Sequence, residues 1–249
     1  MRKTLTPTER LIVAADFKPT ADIKNTPRFW VRFKVLELAD RLEGTGVYLK
    51  INSALRACGY DLIDEIHERG LKVFADLKLF DISETLSTDG AFLREAKPEL
   101  LTVACNAGVT AMQALKETLP DTEILGVTVL TSLNDTDCLE IYSCITDVAV
   151  NRLAEWAVKS GSGGVISSAK EAEAVRRIVG PNMTINTPAI RPAWAIVPGD
   201  DQNPDRIMTP TKAIKAGADR LVVGRPIVKA EDPCAAVMRT IEEIASALK

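Results

Sequence analysis

The stretch Val73-Phe74-Ala75-Asp76-Leu77-Lys78-Leu79-Phe80-Asp81-Ile82 reads as an apolar strand, Val73 to Lys78, running into a loop and carrying two carboxylates and a lysine. Side chains two apart on a strand share a face, so Asp76 and Lys78 point the same way. Aspartate and lysine are rarely fully buried unless paired. Charges at the end of an apolar strand therefore mark either a structural ion pair or a functional site.

Runs of the same kind recur along the chain. Strand candidates are Leu11–Ala15, Val47–Ile51, Val73–Lys78, Leu100–Ala104, Ile124–Leu130, Gly164–Ser167, Met183–Thr187 and Arg220–Val223. Helical patterns lie between and after them: Phe29–Leu42, Ala54–Glu68, Glu84–Ala96, Val109–Thr118, Val148–Lys159, Ala169–Ile178, Pro210–Ala216 and Pro233–Leu248. Eight strand–helix alternations in 249 residues fit an α/β fold of the (β/α)8 TIM-barrel type. A single domain over residues 1–249 is expected, with no linker and no low-complexity segment. A doubly wound open sheet is the runner-up, but no strand runs into a dinucleotide-type GxGxxG. The longest irregular stretch, Ala193–Asp205, is rich in Pro, Gly and Asp and is a candidate lid.

Barrels place their chemistry at the C-terminal ends of strands, and the charges of this chain gather there. Asp16 ends the first strand, Lys50 lies near the end of the second, and Asp76 and Lys78 end the third. Thr131 follows the fifth, Arg191 the seventh, and Gly224-Arg225 the eighth. Surface charges placed without a role would not choose strand ends so consistently, which favours the functional reading.

Composition narrows the chemistry. Hydrophobic residues make up 46% and the net charge is −3, which supports a sizeable core and gives no sign of nucleic acid or an acidic membrane surface as partner. The first ten residues are polar, and the apolar runs are strand-sized, so a soluble, cytoplasmic protein is expected. Five scattered cysteines without a CxxC pair argue against a disulfide framework and read as core filler. His67, the sole histidine, lies in a charged helical stretch and is expected on the solvated surface. A Ser-His-Asp triad or a histidine zinc site is thereby disfavoured, and acid–base work falls to Lys, Asp or Glu. Trp30 and Trp156 read as packing residues, Trp194 as part of the lid or loop packing, and Asn134–Asp137 as a turn.

Taken in order, the motifs resemble those of the orotidine 5'-phosphate decarboxylase family across nearly the whole chain. The family's DxKxxDI run stands as Asp76-Leu77-Lys78-Leu79-Phe80-Asp81-Ile82, and its first- and second-strand Asp and Lys match Asp16 and Lys50. Val127–Ser132, Thr187-Pro188-Ala189-Ile190-Arg191-Pro192, Gly199–Gln202, Arg206–Pro210 and Val222-Val223-Gly224-Arg225-Pro226-Ile227 follow in order. Ala104-Cys105-Asn106-Ala107-Gly108 departs from a His-Ala-Ser-Gly-Gly type run, and Ala189 replaces a usual Gly, which can take φ > 0 or permit close backbone approach, whereas Ala is tolerated there if the backbone stays extended. Ser83 and Glu84 stand where Pro and Asn are frequent, at the start of a helix.

The resemblance implies cofactor-independent loss of CO₂ from orotidine 5'-phosphate to give UMP. It implies Lys78 as proton donor to C6, within an alternating array of Lys50, Asp76, Lys78 and Asp81. Asp81 and Thr85 would come from the second subunit of a homodimer. Asp16 and Lys50 would hold the ribose hydroxyls, Thr131 the pyrimidine edge, and Arg191, Gln202, Gly224 and Arg225 the phosphoribosyl group. Two other readings share these features. One is a Mg²⁺-dependent sugar-phosphate decarboxylase or aldolase of the same superfamily. The other is a catalytically silent, nucleotide-binding barrel.

Overall fold

The computed structural model describes residues 4–19, 26–195 and 208–249. Eight parallel strands close into a barrel in sequence order: β1 (Leu11–Ala14), β2 (Tyr48–Ile51), β3 (Lys72–Leu79), β4 (Leu100–Ala104), β5 (Glu123–Val127), β6 (Gly164–Ile166), β7 (Thr184–Thr187) and β8 (Arg220–Val223). Around them lie α1 (Pro27–Arg41), α2 (Ser53–Cys58), α3 (Asp61–His67), α4 (Ser83–Ala96), α5 (Val109–Thr118), α6 (Asp135–Tyr142), α7 (Thr146–Ser160), α8 (Ala172–Val179), α9 (Pro210–Lys215), α10 (Arg225–Val228) and α11 (Pro233–Ala247). No helix among the described residues is long and apolar enough to cross a membrane.

Strand periodicity sorts the core into two layers. Ile12, Tyr48, Phe74, Leu100, Leu125 and Val222 fill the barrel interior. Their neighbours in sequence, such as Val13, Leu49, Val73, Leu101 and Leu221, face the helices. Gly126 of β5 is required by packing, since a Cβ there would lie 2.6 Å from the Cys105 sulfur. Burial pushes the Cys105 thiol up to about 12, so it stays a neutral core group. All five cysteines are unpaired; Cys58, Cys105 and Cys138 are buried, and Cys144 and Cys234 half-buried.

Several expected elements differ. The helix expected over Ala54–Glu68 is two, because Gly59, at φ +87, ends α2 in a conformation that L residues rarely adopt. The fifth strand stops at Val127 rather than Leu130 because its partner β6 ends at Ile166; Thr128 makes the last bonds, to the Ile166 carbonyl. Asn134–Asp137 is the start of α6, where Asn134 and Asp137 bond reciprocally to each other's backbone N–H as a capping box. His67 is half-buried, its Nε2 lying 3.2 Å from Glu99 Oε2. Ser83 and Glu84 leave the start of α4 intact, with Glu84 in the first turn, where an acid favours the helix dipole. Most of the expected lid, 196–205, lies outside the described residues.

The base of the barrel is held by charge. Arg220, fully buried, donates from both Nη atoms to Glu123, at 2.9 and 2.8 Å, and from Nη1 to Asn186 at 3.2 Å. Its guanidinium carbon sits 5.4 Å from the Tyr48 ring centre. Burial works against this charge, and Glu123 more than offsets it, so the Arg220 pKa is raised. Removing one partner strands the other, which costs far more than removing both. Arg220→Met should therefore lower unfolding stability by about 3 kcal/mol in urea titration, and the Arg220→Met/Glu123→Gln double variant should recover a large part of it.

Candidate active site

The inward parity of the strands carries the charges to the barrel mouth. Beyond interior Tyr48 comes Lys50; beyond Phe74 comes Asp76; beyond Ile12 and Ala14 comes Asp16. Asp76 is buried, and its carboxylate is gripped from both sides. Lys78 Nζ donates to both its oxygens at 2.8 Å, and Lys50 Nζ donates to Oδ2 at 3.2 Å. Lys50 also bonds both oxygens of the exposed Asp16 at 2.8 Å. The expected pairing of Asp76 with Lys78 across two residues is thus realised, and Asp16–Lys50–Asp76–Lys78 form one chain of ion pairs.

Burial alone pushes the Asp76 carboxyl upward. Lys50, Lys78 and a hydrogen bond from Thr102 more than reverse this, leaving its pKa below the ordinary value. Asn52, two residues past Lys50, reaches Asp76 Oδ2 at 3.5 Å. Arg56 of α2 bonds both Asn52 and the Leu77 carbonyl, tying α2 to the same strand end.

The ion-pair chain lines a cavity of ≈ 890 Å³, within the range of about 300–1,000 Å³ usual for small-molecule sites. Thr131, Arg191, Gly224 and Arg225 also line it. Arg191 is buried, and its backbone N–H bonds the Met208 carbonyl at 3.0 Å. Gly224 has a negative φ, and a Cβ there would meet nothing closer than 3.7 Å, at Ala14. Packing does not demand a glycine at that point.

Two of the expected residues are not brought to the cavity by their own chain. Asp81 is exposed, its side chain accepting from the Ile82 N–H, and it stands apart from the array; Thr85, on α4, does not line the cavity either. Gln202 lies outside the described residues. Trp30, expected only to pack, lines the cavity and meets Phe17 edge-on at 6.4 Å. Trp194 instead stacks beneath Arg239 of α11, 5.0 Å from ring centre to guanidinium, and is not part of the cavity wall. Ala189, which would be unstrained only in an extended conformation, has φ +63, the region that the family's usual Gly could take. Among the described residues, no group of three or more His, Cys, Asp or Glu side chains converges as metal ligands would.

Comparison with known proteins agrees with this geometry. Residues 9–240 match the model of the orotidine 5'-phosphate decarboxylase / HUMPS family. The chain is 39% identical to the orotidine 5'-phosphate decarboxylase of Methylobacterium sp. (strain 4-46), over 99% of this chain and 100% of that one. It is 37% identical to the enzyme of the same name from Laribacter hongkongensis, over 90% and 88% of the two chains. The crystal structure of the Lactobacillus acidophilus orotidine 5'-phosphate decarboxylase superposes with a TM-score of 0.75 at 28% identity, covering 95% of this chain and 99% of that one.

Two outcomes follow from the geometry. Ala189 pays a steric cost that glycine avoids, so Ala189→Gly should raise stability by about 1 kcal/mol in denaturant titration. Asp76 has a lowered folded pKa. Its contribution to stability is therefore full above the unfolded value of about 3.9 and is lost as pH falls through the folded value. Asp76→Asn should be less stable at pH 7, yet lose stability less steeply than the parent below about pH 4, as acid unfolding will show.

Proposed function

This chain belongs to the orotidine 5'-phosphate decarboxylase / HUMPS family, and we propose that the four charges at its barrel mouth carry out the family reaction with Lys78 as the proton donor. That reaction is the decarboxylation of orotidine 5'-phosphate to UMP in pyrimidine biosynthesis. The observation that carries the residue assignment is the Lys50–Asp76–Lys78 contact set, buried at the strand ends beside Arg191, Gly224 and Arg225 in one cavity.

The chemical difficulty is electronic. When the C6–carboxylate bond breaks, its electron pair stays on C6 of a ring that delocalises it poorly. Lys78, as an ammonium, faces that carbon, stabilises the developing charge and transfers a proton to it; solvent then reprotonates the amine. Asp76 sits beside the departing carboxylate, a repulsion relieved as CO₂ becomes neutral. At an effective dielectric near 20, one pair of unit charges ~4 Å apart contributes about 4 kcal/mol. Enzymes supply roughly 8–23 kcal/mol, so a single repulsion is not enough. Preorganisation of the whole array is the larger effect, because donors fixed before the reaction need no reorientation during it.

The rest comes from parts of the substrate that do not react. Arg191 and Arg225 suit a phosphate through charge-assisted, forked hydrogen bonds, and the Gly224 backbone admits close approach. Gln202 joins them in this assignment. Asp16 and Lys50 take the ribose hydroxyls, and Thr131 the pyrimidine edge. The assignment uses no cofactor, as the family resemblance implies, with the Lys78 ammonium taking the place of an electron sink. Five unpaired cysteines support a reducing, cytoplasmic setting.

Asp81 and Thr85 are assigned to the neighbouring site of a homodimer. Asp81 is exposed between Phe80 and Ile82, themselves 63% and 69% exposed, and such apolar flanks favour a covered surface. If so, Lys78→Ala and Asp81→Asn are each inactive alone, but co-refolded together they should regain about a quarter of wild-type sites, since half the dimers are mixed and each carries one intact site. Absence of any recovery would confine Asp81 to its own chain. The primary test is loss of orotate-ring absorbance with purified protein and orotidine 5'-phosphate. Turnover should persist in EDTA and vanish in Lys78→Ala. Loss with EDTA would point to a metal-dependent relative, and UMP binding without turnover to a silent barrel.

A further inference from the structure

β3 and β4 fall out of step at the mouth. Ala75 pairs with Leu101, but the next pair is Leu79 with Val103, so β3 advances four residues while β4 advances two. Lys78 lies in this bulge with φ +47, the left-handed region that a lysine seldom adopts. Its backbone N–H has left the ladder and needs another acceptor. Thr102, fully buried on β4, provides one: its Oγ1 accepts from the Lys78 N–H at 2.9 Å. The same oxygen donates to Asp76 Oδ1 at 3.0 Å. Both directions are fixed by chemistry, because an amide N–H can only donate and an ionised carboxylate can only accept.

We propose that Thr102 is a positioning residue for the decarboxylation, clamping the Lys78 backbone and the Asp76 carboxylate to one hydroxyl. The inference rests on the decarboxylase reading above and extends it to a residue that carries no charge. Lys78 reaches Asp76 through its ammonium and, by way of Thr102, through its backbone as well. The ammonium that donates the proton is thereby held at both ends of its residue. Around Asp76 stand Lys50 and Asn52 from the β2 end, Lys78 from β3 and Thr102 from β4, with Asp16 behind Lys50 and Arg56 behind Asn52. Thr102 alone among these bonds both the Lys78 N–H and the Asp76 carboxylate, while Arg56 holds the Leu77 carbonyl at the other end of the same peptide.

The test compares wild type, Thr102→Val, which keeps the shape and loses both bonds, and Thr102→Ser, which keeps both. For Thr102→Val, kcat should fall roughly ten- to a hundredfold, as for loss of a hydrogen bond to a charged group. KM and UMP affinity should stay within about threefold, because Thr102 touches none of the phosphoribosyl contacts. The acid limb of the kcat–pH profile should move to higher pH, because ionised Asp76 loses a donor. Thr102→Ser should retain most of the wild-type kcat. A packing role would instead lower the unfolding midpoint with kcat and the acid limb unmoved, and that result overturns the proposal. If Thr102→Val does not fold, Thr102→Ser decides: near-wild-type kcat supports the clamp, and a large loss overturns it. A wild type without turnover overturns the decarboxylase reading itself, whereas an active wild type matched by Thr102→Val overturns the clamp alone.

Discussion

A buried carboxylate shared by two ammonium groups is the constraint on which the mouth of this barrel depends. Asp76 has one negative charge for Lys50 and Lys78, and Asp16 supplies the second that Lys50 requires. The four charges balance only as a set. Such a set is a weaker source of stability than its contacts suggest, since desolvation consumes much of what attraction returns. It persists because the apolar layers beneath it are sufficient to hold it in place. Lys50 and Asp76 stand directly above Tyr48 and Phe74 in the interior layer, so the geometry of the charges is inherited from the packing of the aromatic rings.

Much of this was legible in the sequence, and the reason is contrast. Short apolar, β-branched runs set between longer amphipathic ones located each of the eight strands, and a charged residue near the end of such a run stood out, as at Lys50, Asp76 and Lys78. What escaped had no such contrast. Thr102 is a β-branched residue in an apolar strand and looks like an ordinary strand former. Trp30 sits in a helical pattern, and its partner Phe17 follows a strand. Val127–Leu130 continue an apolar run whose pairing ends only because β6 is short, a fact that belongs to another strand. The break at Gly59 and the capping box at Asn134 were written in single residues that a broader pattern overrode. The left-handed backbone of Ala189 was signalled only through the glycine usual at that place in the family, since alanine itself gives no sign of it.

The two ends of the barrel divide their charges by purpose. At the base, Arg220 and Glu123 are joined by paired hydrogen bonds and meet Thr184 and Asn186. Nothing there lines the cavity. At the mouth, the charges are arranged in a chain rather than in closed pairs, with Asp16 open to solvent and Lys78 about one-third exposed, at 33%. An open chain leaves hydrogen-bonding capacity toward the cavity, and that is where a ligand acts.

The filled interior has a consequence for traffic. Among the described residues, the packed layer of Ile12, Tyr48, Phe74, Leu100, Leu125 and Val222 and the Arg220–Glu123 pair lie between the cavity and the far end of the barrel. The cavity is a cul-de-sac. Whatever ligand the cavity takes enters and leaves at the C-terminal ends of the strands, so binding and release share one path among the described residues.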